Sequence, residues 1–400
     1  MQQKVVLAYS GGLDTSYCIT YLSQTLNLDV YSVFVDCGGF KPAELESIAD
    51  RARVLGVKTH TVLDVKTKYY QECIRYLIFG NVLKNGTYPL SVSAERVFQA
   101  RAIAEFAQKM QADYVAHGST GAGNDQVRFD TIFHTLIPQI KILTPIRDQQ
   151  LTREAEITFL KENGINLDWQ KLAYSVNQGL WGTTIGGKET LTSNLALPEE
   201  AFPTPVTRDD PMIVKIEFMH GAFCGFNGTY NADPISAIQE LDRFAAAYGI
   251  GRDMHVGDTI IGIKGRIGFA AAAPLLIIHA HKALEKHTLT KWQQYWKEQL
   301  AVWYGMLLHE GQFLDPVMRN IEAFLEHTQK SVTGTVHIEI APYRFSVQGV
   351  TSPNDLMAPE FGSYGEQNPD WSGDDVRGFA KILANQCRIY TTINSGADND

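Results

Sequence analysis

Over its first 160 residues the chain alternates short apolar, β-rich runs with stretches of helical spacing. The strand-like runs are Val5 to Ala8, Val30 to Val35, Thr59 to Leu63, Tyr114 to Ala116 and Ile140 to Pro145. Between them Ser16 to Leu26, Pro42 to Leu55, Tyr69 to Leu83, Ala94 to Met110 and Arg153 to Glu162 repeat apolar residues at helical intervals. Strands joined through helices cannot pair as hairpins, so the pattern predicts an α/β fold, a doubly wound and mainly parallel sheet. Such sheets bind ligands beyond the carboxyl ends of their strands.

The pattern changes around Tyr174. Leu180 to Gly187 reads as loop, and Pro198 to Pro211 carries four prolines and several acids. Beyond it come strand-like Ile213 to Phe218 and Thr259 to Ile263, with helix-like Ile235 to Tyr248 between them. Helical stretches Leu275 to Glu285, Lys291 to Leu308 and Pro316 to Gln329 follow, then strands Thr333 to Ile340 and Arg344 to Val350. Four hundred residues exceed what one core usually organises. The expected organisation is a nucleotide-binding domain over 1–172 and an α+β domain over 173–400, ending in a helical arm at about 374–393. In that arm Val376, Phe379, Ile382 and Leu383 fall at helical spacing, to pack on their own domain or on a neighbouring subunit.

Composition narrows the class. A net charge of −9 lacks the basic footprint of a general nucleic-acid binder. No apolar run reaches the ~18 residues that span a bilayer, and Met1-Gln2-Gln3-Lys4 leads into a strand rather than a signal peptide, so a cytoplasmic location is expected, away from membranes. Cys18, Cys37, Cys73, Cys224 and Cys387 are scattered without a Cys-x-x-Cys pair and read as reduced thiols.

The first strand-to-helix turn, Ala8-Tyr9-Ser10-Gly11-Gly12-Leu13-Asp14-Thr15-Ser16, concentrates chemistry. Unpaired N–H groups and the dipole at a helix start attract phosphate oxygens. Gly11 and Gly12 allow a tight turn and close ligand approach, and Ser10, Thr15 and Ser16 add hydroxyls. Asp14 offers an N-cap or a carboxylate for a cation such as Mg²⁺. The plainer reading is an ordinary turn; the hydroxyl density favours a polyphosphate site. A second strand-end loop, His117 to Arg128, gathers Thr120, Asn124, Asp125 and Arg128, a set that suits an amino acid's carboxylate and ammonium groups.

Ser-Gly-Gly-Leu-Asp-Thr-Ser resembles the pyrophosphate loop of the ATP-pyrophosphatase superfamily, and its Asp-Thr-Ser ending is similar to the argininosuccinate synthase branch. The segment from His117 to Arg128 resembles that family's His-Gly-x-Thr-Gly-x-Gly-Asn-Asp-Gln-x-Arg signature. The resemblance implies ATP-dependent joining of citrulline and aspartate, with release of AMP and pyrophosphate, by a homotetramer. It implies ATP contacts at Ala8, Tyr9, Ser10, Gly11, Gly12, Leu13, Asp14, Thr15, Ser16, Val35 and Gly118, with Mg²⁺ near Asp14. Ser10, Asp14, Thr15, Ser16 and Asp125 are then the catalytic candidates. Aspartate falls to Thr120, Asn124 and Asp125, and citrulline to Tyr88, Ser93, Asn124, Arg128, Ser175 and Thr184, where Thr184 stands for a serine.

Departures accompany the match. Asn177 and Gly179 stand where many members carry Asp and Asn, and Gly257 and Phe269 replace a citrulline-binding Glu and Tyr, leaving Asp258 nearest for the ammonium group. They keep open another adenylating ligase with a different acceptor; a catalytically silent nucleotide-binding protein is the remaining alternative. Three further features read as structural. Gly182 to Glu189 nearly matches a Walker A loop but ends in Glu189 and follows no clear strand. His279 and His281, with His287, face apart if helical. Cys37, beside Gly38-Gly39, lacks a partner cysteine for thiol chemistry.

Overall fold

The computed structural model describes residues 2–166, 174–230, 233–357, 359–362, 364–366 and 368–395. The expected boundary at Leu172 lies outside them. The chain forms two compact units, one ending at Asn354 and one beginning at Asp355.

The first unit opens with five strands, β1 Lys4–Ala8, β2 Asp29–Asp36, β3 Thr59–Asp64, β4 Tyr114–Ala116 and β5 Lys141–Leu143, all parallel in the order β3-β2-β1-β4-β5. A central parallel strand is covered on both faces, which is why β1 reads as a continuous apolar run. Val5, Val6 and Leu7 are fully buried, each burial stabilising the fold by about 1.5–3 kcal/mol. The crossovers include helices α1 Leu13–Thr20, α2 Pro42–Val54, α3 Ser91–Lys109 and α4 Asp125–Leu136, and α5 Arg153–Glu162 follows the last strand. The loop expected after β4 through Arg128 ends sooner: helix α4 starts at Asp125, and Arg128 lies in its first turn. Helix α1 likewise begins at Leu13, earlier than Ser16, with a π-helical turn over Tyr21–Thr25.

Chain order reverses between β1 and its neighbours β2 and β4, so the turns after β1 and β4 open side by side at one sheet edge. A Cβ added to Gly118, just past β4, would meet Thr15 Cγ2 at 3.0 Å. Gly118 therefore has no side chain because the two loops touch.

A second sheet pairs β6 Ser175–Asn177 and β7 Thr183–Gly186 with β11 Arg252–Asp258 and β12 Lys264–Ala270, in the order β11-β12-β7-β6. Thr183 to Gly186 is a strand rather than loop, held by antiparallel pairing of Thr184 with Phe269. Thr259 to Ile263 is the turn joining β11 and β12, its ends tied by the Thr259 N–H donating to the Ile263 carbonyl at 2.8 Å. The apolar residues there had suggested a strand, but they cap a hairpin. The third sheet joins β8 Met212–Met219, β9 Ala222–Phe226 and β10 Thr229–Tyr230 to β13 Gly334–Ala341 and β14 Arg344–Thr351, in the order β10-β9-β8-β13-β14. Helices α6 Pro234–Ala246, α7 Ala272–Thr288, α8 Lys291–His309 and α9 Pro316–Thr328 complete this unit, and Leu276, Ile277, Tyr304 and Leu325 carry α7 to α9 into the main core.

His279 and His281 lie on α7, as the helical reading required. Buried His281 sits between Asn81 at 2.7 Å and Gln329 at 2.8 Å. Among the described residues no group of three His, Cys, Asp or Glu is placed to hold a metal, and no helix is long and apolar enough to cross a membrane.

The second unit carries two helices, α10 Gly373–Leu383 and α11 Asn385–Asn394. Ser372 caps α10, and its N–H donates to Asp375 Oδ2 at 2.9 Å in a capping box. No residue of either helix is buried; Val376, Phe379, Ile382 and Leu383 are all exposed.

Candidate active site

A cavity of about 960 Å³ opens over the edge where the β1 and β4 turns meet. Its floor is the Ser10 loop. Gly11 takes φ +80°, and its missing Cβ would crowd Ile48 Cγ1 at 3.0 Å. Gly12 is the N-cap of α1 and supplies no side-chain cap, leaving the first N–H groups without one. Asp14 is thus not the cap; its carboxylate sits in the first turn and lines the cavity. Ser10 Oγ and Thr15 Oγ1 lie 3.2 Å apart, both at the cavity wall. Ser16 is fully buried, its hydroxyl donating to the Gly12 carbonyl at 2.8 Å. Of the loop from Ala8 to Ser16, Gly11 and Ser16 shape the turn from behind, and the other residues line the space.

Glu156 of α5 is buried close enough to Asp14 to feel its charge. Burial and then the charge on Asp14 raise the Glu156 pKa.

The loop from His117 to Asn124 is braced by its own polar groups and by neighbouring elements. The Ser119 N–H donates to His117 Nδ1 at 3.2 Å, so His117 Nε2 carries the proton toward Asp130 at 2.9 Å, and Asp130 also pairs with Arg147 at 2.7 Å. The Gln126 amide donates to the carbonyls of Gly121 and Gly123 at 2.7 and 3.1 Å, folding the glycine-rich stretch over the start of α4. Asn124 Oδ1 accepts the Ile260 N–H at 2.9 Å, tying this loop to the β11–β12 turn.

Asp125 lies between two guanidinium groups, Arg96 Nε at 2.9 Å and Arg128 Nη1 at 2.7 Å. Burial alone would raise its pKa, but Arg96 and Arg128 outweigh that and hold it at about 2. Arg128 also donates to the His309 carbonyl at 2.8 Å, and its Nη2 lies 3.2 Å from His309 Nδ1. Arg128 thus enters the cavity already fixed in orientation. An arginine held this way can present its remaining N–H edge to a carboxylate at little further entropic cost.

Tyr88, Ser93, Ser175 and Thr184 line the same cavity, as do Val35, Gly118 and Thr120. The topology explains the gathering: Ser93 rides α3, while Ser175 and Thr184 come from the second sheet. At the departures, Phe269 is fully buried with its ring 5.5 Å from that of Tyr88, and Gly257 lines the wall. Asp258, nearest in sequence for an ammonium group, is exposed and paired with Lys264 at 2.6 Å. Sequence reasoning missed Arg96, His255 and His309, which the fold brings to this wall. Arg96 lies three residues beyond Ser93 and His255 two residues before Gly257, while His309 lies far from any motif.

Cys37 lies outside the cavity wall. It is buried, with its pKa pushed well up by burial and then by the charge on Glu95. The near-Walker segment is consumed by β7 and a 3₁₀ turn over Lys188–Leu191.

Residues 4–166 match the family model described as the argininosuccinate synthase N-terminal HUP domain, and residues 174–390 match its C-terminal domain. The chain belongs to the argininosuccinate synthase family. Relatives of that name are spread widely. That of Methanocaldococcus jannaschii is 36% identical over 393 residues, covering 98% of both chains. That of Dictyoglomus thermophilum is 36% identical over 401 residues, covering both chains in full, and that of Xylella fastidiosa is 34% identical over 404 residues, covering 98% of both. Membership of the family agrees with the parallel sheet and with the two loops that meet at its switch point.

Proposed function

We infer that the protein is an ATP-dependent carbon–nitrogen ligase that condenses citrulline with aspartate to argininosuccinate, releasing AMP and pyrophosphate, in arginine biosynthesis. The observation that carries this reading is the meeting, in one cavity, of an uncapped helix start bearing Ser10, Asp14 and Thr15 with the Asn124–Arg128 cluster.

The ureido carbon of citrulline is a poor electrophile, since nitrogen lone pairs feed it and its oxygen cannot leave. Adenylation converts that oxygen into a phosphate leaving group. In this reading the N–H groups and hydroxyls at Ser10 to Thr15 grip the β- and γ-phosphates, the part that departs as pyrophosphate. The α-phosphorus is left facing the ureido oxygen, so adenylyl transfer is favoured over γ-phosphoryl transfer. Ser16 and Gly11 shape the loop; Ala8, Tyr9, Leu13, Val35 and Gly118 surround the nucleotide.

Asp14, whose carboxylate lines the cavity in the first turn of α1, would hold a Mg²⁺ ion brought with the triphosphate, and the ion would supply charge neutralisation for the departing pyrophosphate. Arg128, Asn124, Tyr88, Ser93, Ser175 and Thr184 hold citrulline, and Thr120, Asn124 and Asp125 orient aspartate so that its amine attacks the activated carbon and AMP leaves. Alignment of two bound reactants supplies much of the rate, without a covalent enzyme intermediate.

The functional division runs at 172/173, the first part holding nucleotide and the second completing the substrate site. The active form is a homotetramer in the cytoplasm. The uncovered apolar face of Val376, Phe379, Ile382 and Leu383 supports assembly, because an exposed stripe of that size ordinarily meets another chain.

The test is pyrophosphate release from ATP with citrulline, aspartate, both or neither. Release that requires both, with argininosuccinate formed alongside AMP, is expected. No release with both, despite ATP binding, would move the assignment to a ligase with another acceptor.

A further inference from the structure

Among the described residues, the wall built by β11, β12, β7 and β6 offers the cavity one carboxylate, Asp258, and it is paired with Lys264, while Asp125 of α4 is held by two arginines. His255 stands on the same wall. It is 6% exposed, lines the cavity, and stacks on Tyr88 with ring centroids 5.1 Å apart. A Cβ built on Gly257 would lie only 2.6 Å from His255 Nε2. Gly257 is not among the glycines of positive φ, so its backbone does not demand glycine. The missing side chain leaves room for the imidazole.

We propose that His255, occupying the space a side chain at position 257 would take, is the acceptor that holds the α-ammonium group of citrulline. The inference rests on citrulline being the substrate. His255 Nδ1 lies 3.5 Å from Thr87 Oγ1; with the proton on Nδ1 facing that hydroxyl, Nε2 keeps its lone pair for a donor in the cavity. Burial, and then the charge on Lys84, lower the ring's pKa and favour this neutral form. His255 is a specificity residue for one end of the substrate and stands apart from the adenylation chemistry.

Steady-state kinetics of the full chain, with citrulline and with 5-ureidopentanoate, which lacks the amino group, test it. His255→Ala is expected to raise the citrulline KM about 10- to 100-fold, the range of one hydrogen bond to a charged group, with the 5-ureidopentanoate, ATP and aspartate constants held within about threefold. His255→Gln, which keeps a side-chain carbonyl to accept, recovers most of the loss. Gly257→Glu alone displaces the imidazole and impairs citrulline use, whereas Gly257→Glu combined with His255→Ala restores it, because the carboxylate then has room. Equal losses for citrulline and 5-ureidopentanoate, or no loss for either, overturn the assignment of His255 while leaving the substrate reading intact. A wild-type protein that turns over neither compound refutes both.

Discussion

Glu95 offers a quantitative test of the electrostatics behind the site. It lies on α3 next to Arg96, is 3% exposed, and its carboxylate approaches Gly179 so closely that a Cβ there would meet Glu95 Oε2 at 2.6 Å. Burial raises its pKa from 4.5 to about 7, with Arg96 opposing and Asp36 and Asp125 adding to the rise. The folded state therefore keeps a proton that the unfolded chain has lost between pH 4.5 and about 7. Stability falls as pH rises through that window, since the native state binds the extra proton. The difference amounts to about 3 kcal/mol at 1.36 kcal/mol per pH unit, fully developed above pH 7 and absent below pH 4.5. Glu95→Gln removes the titration while preserving shape. Urea unfolding of both proteins at one concentration, at intervals from pH 4.5 to 8.5, is expected to show the variant's advantage growing by about 3 kcal/mol and then levelling. Cys37 stays a neutral thiol throughout, because burial pushes its pKa well up. Parallel pH profiles would refute the reasoning, as would an advantage that grows toward acid.

Three other perturbations test the assigned roles. Asp14→Ala should cut pyrophosphate release at least about 100-fold with unchanged circular dichroism, as expected for a group acting on developing charge; normal turnover would remove Asp14 from the chemistry. Arg128→Ala should raise the citrulline KM about tenfold or more and the ATP KM far less, and a selective ATP defect would contradict the role. Deleting the chain after Ser372 should lower the mass measured by light scattering below that of four subunits; an unchanged mass would mean that α10 and α11 serve their own subunit.

How much of this was legible in the sequence follows from how local each signal is. Strand β4 was read to the residue, because three apolar residues between a helix and a glycine-rich turn admit one assignment. The start of α4 at Asp125 was lost: Gly121, Gly123 and Asn124 signal loop, and what ends the loop is the Gln126 amide reaching back to two carbonyls, a contact no propensity encodes. Strand β7 was lost likewise, since Thr183 to Gly186 is weak on its own and is extended by its pairing with β12, more than eighty residues away. At the site, motif residues were found because each motif is contiguous. Arg96, His255 and His309 were missed because they meet Asp125, Tyr88 and Arg128 only after the chain has folded.

The same distinction bears on the departures from the family pattern. Gly257 and Phe269, taken singly, look like losses of a carboxylate and a hydroxyl. In the folded chain each borders Tyr88 or His255: Phe269 packs its ring 5.5 Å from Tyr88, and Gly257 clears the space beside His255 Nε2. A polar group lost at 257 is matched by one presented from 255, two residues earlier on the same strand, where side chains point to the same face of the sheet. Substitutions coupled across such short distances are not additive, so the effect of restoring Glu at 257 depends on what stands at 255. The meaning of Gly257 is therefore decided by its neighbour on β11, and the double substitution, rather than either single one, is the measurement that reads it.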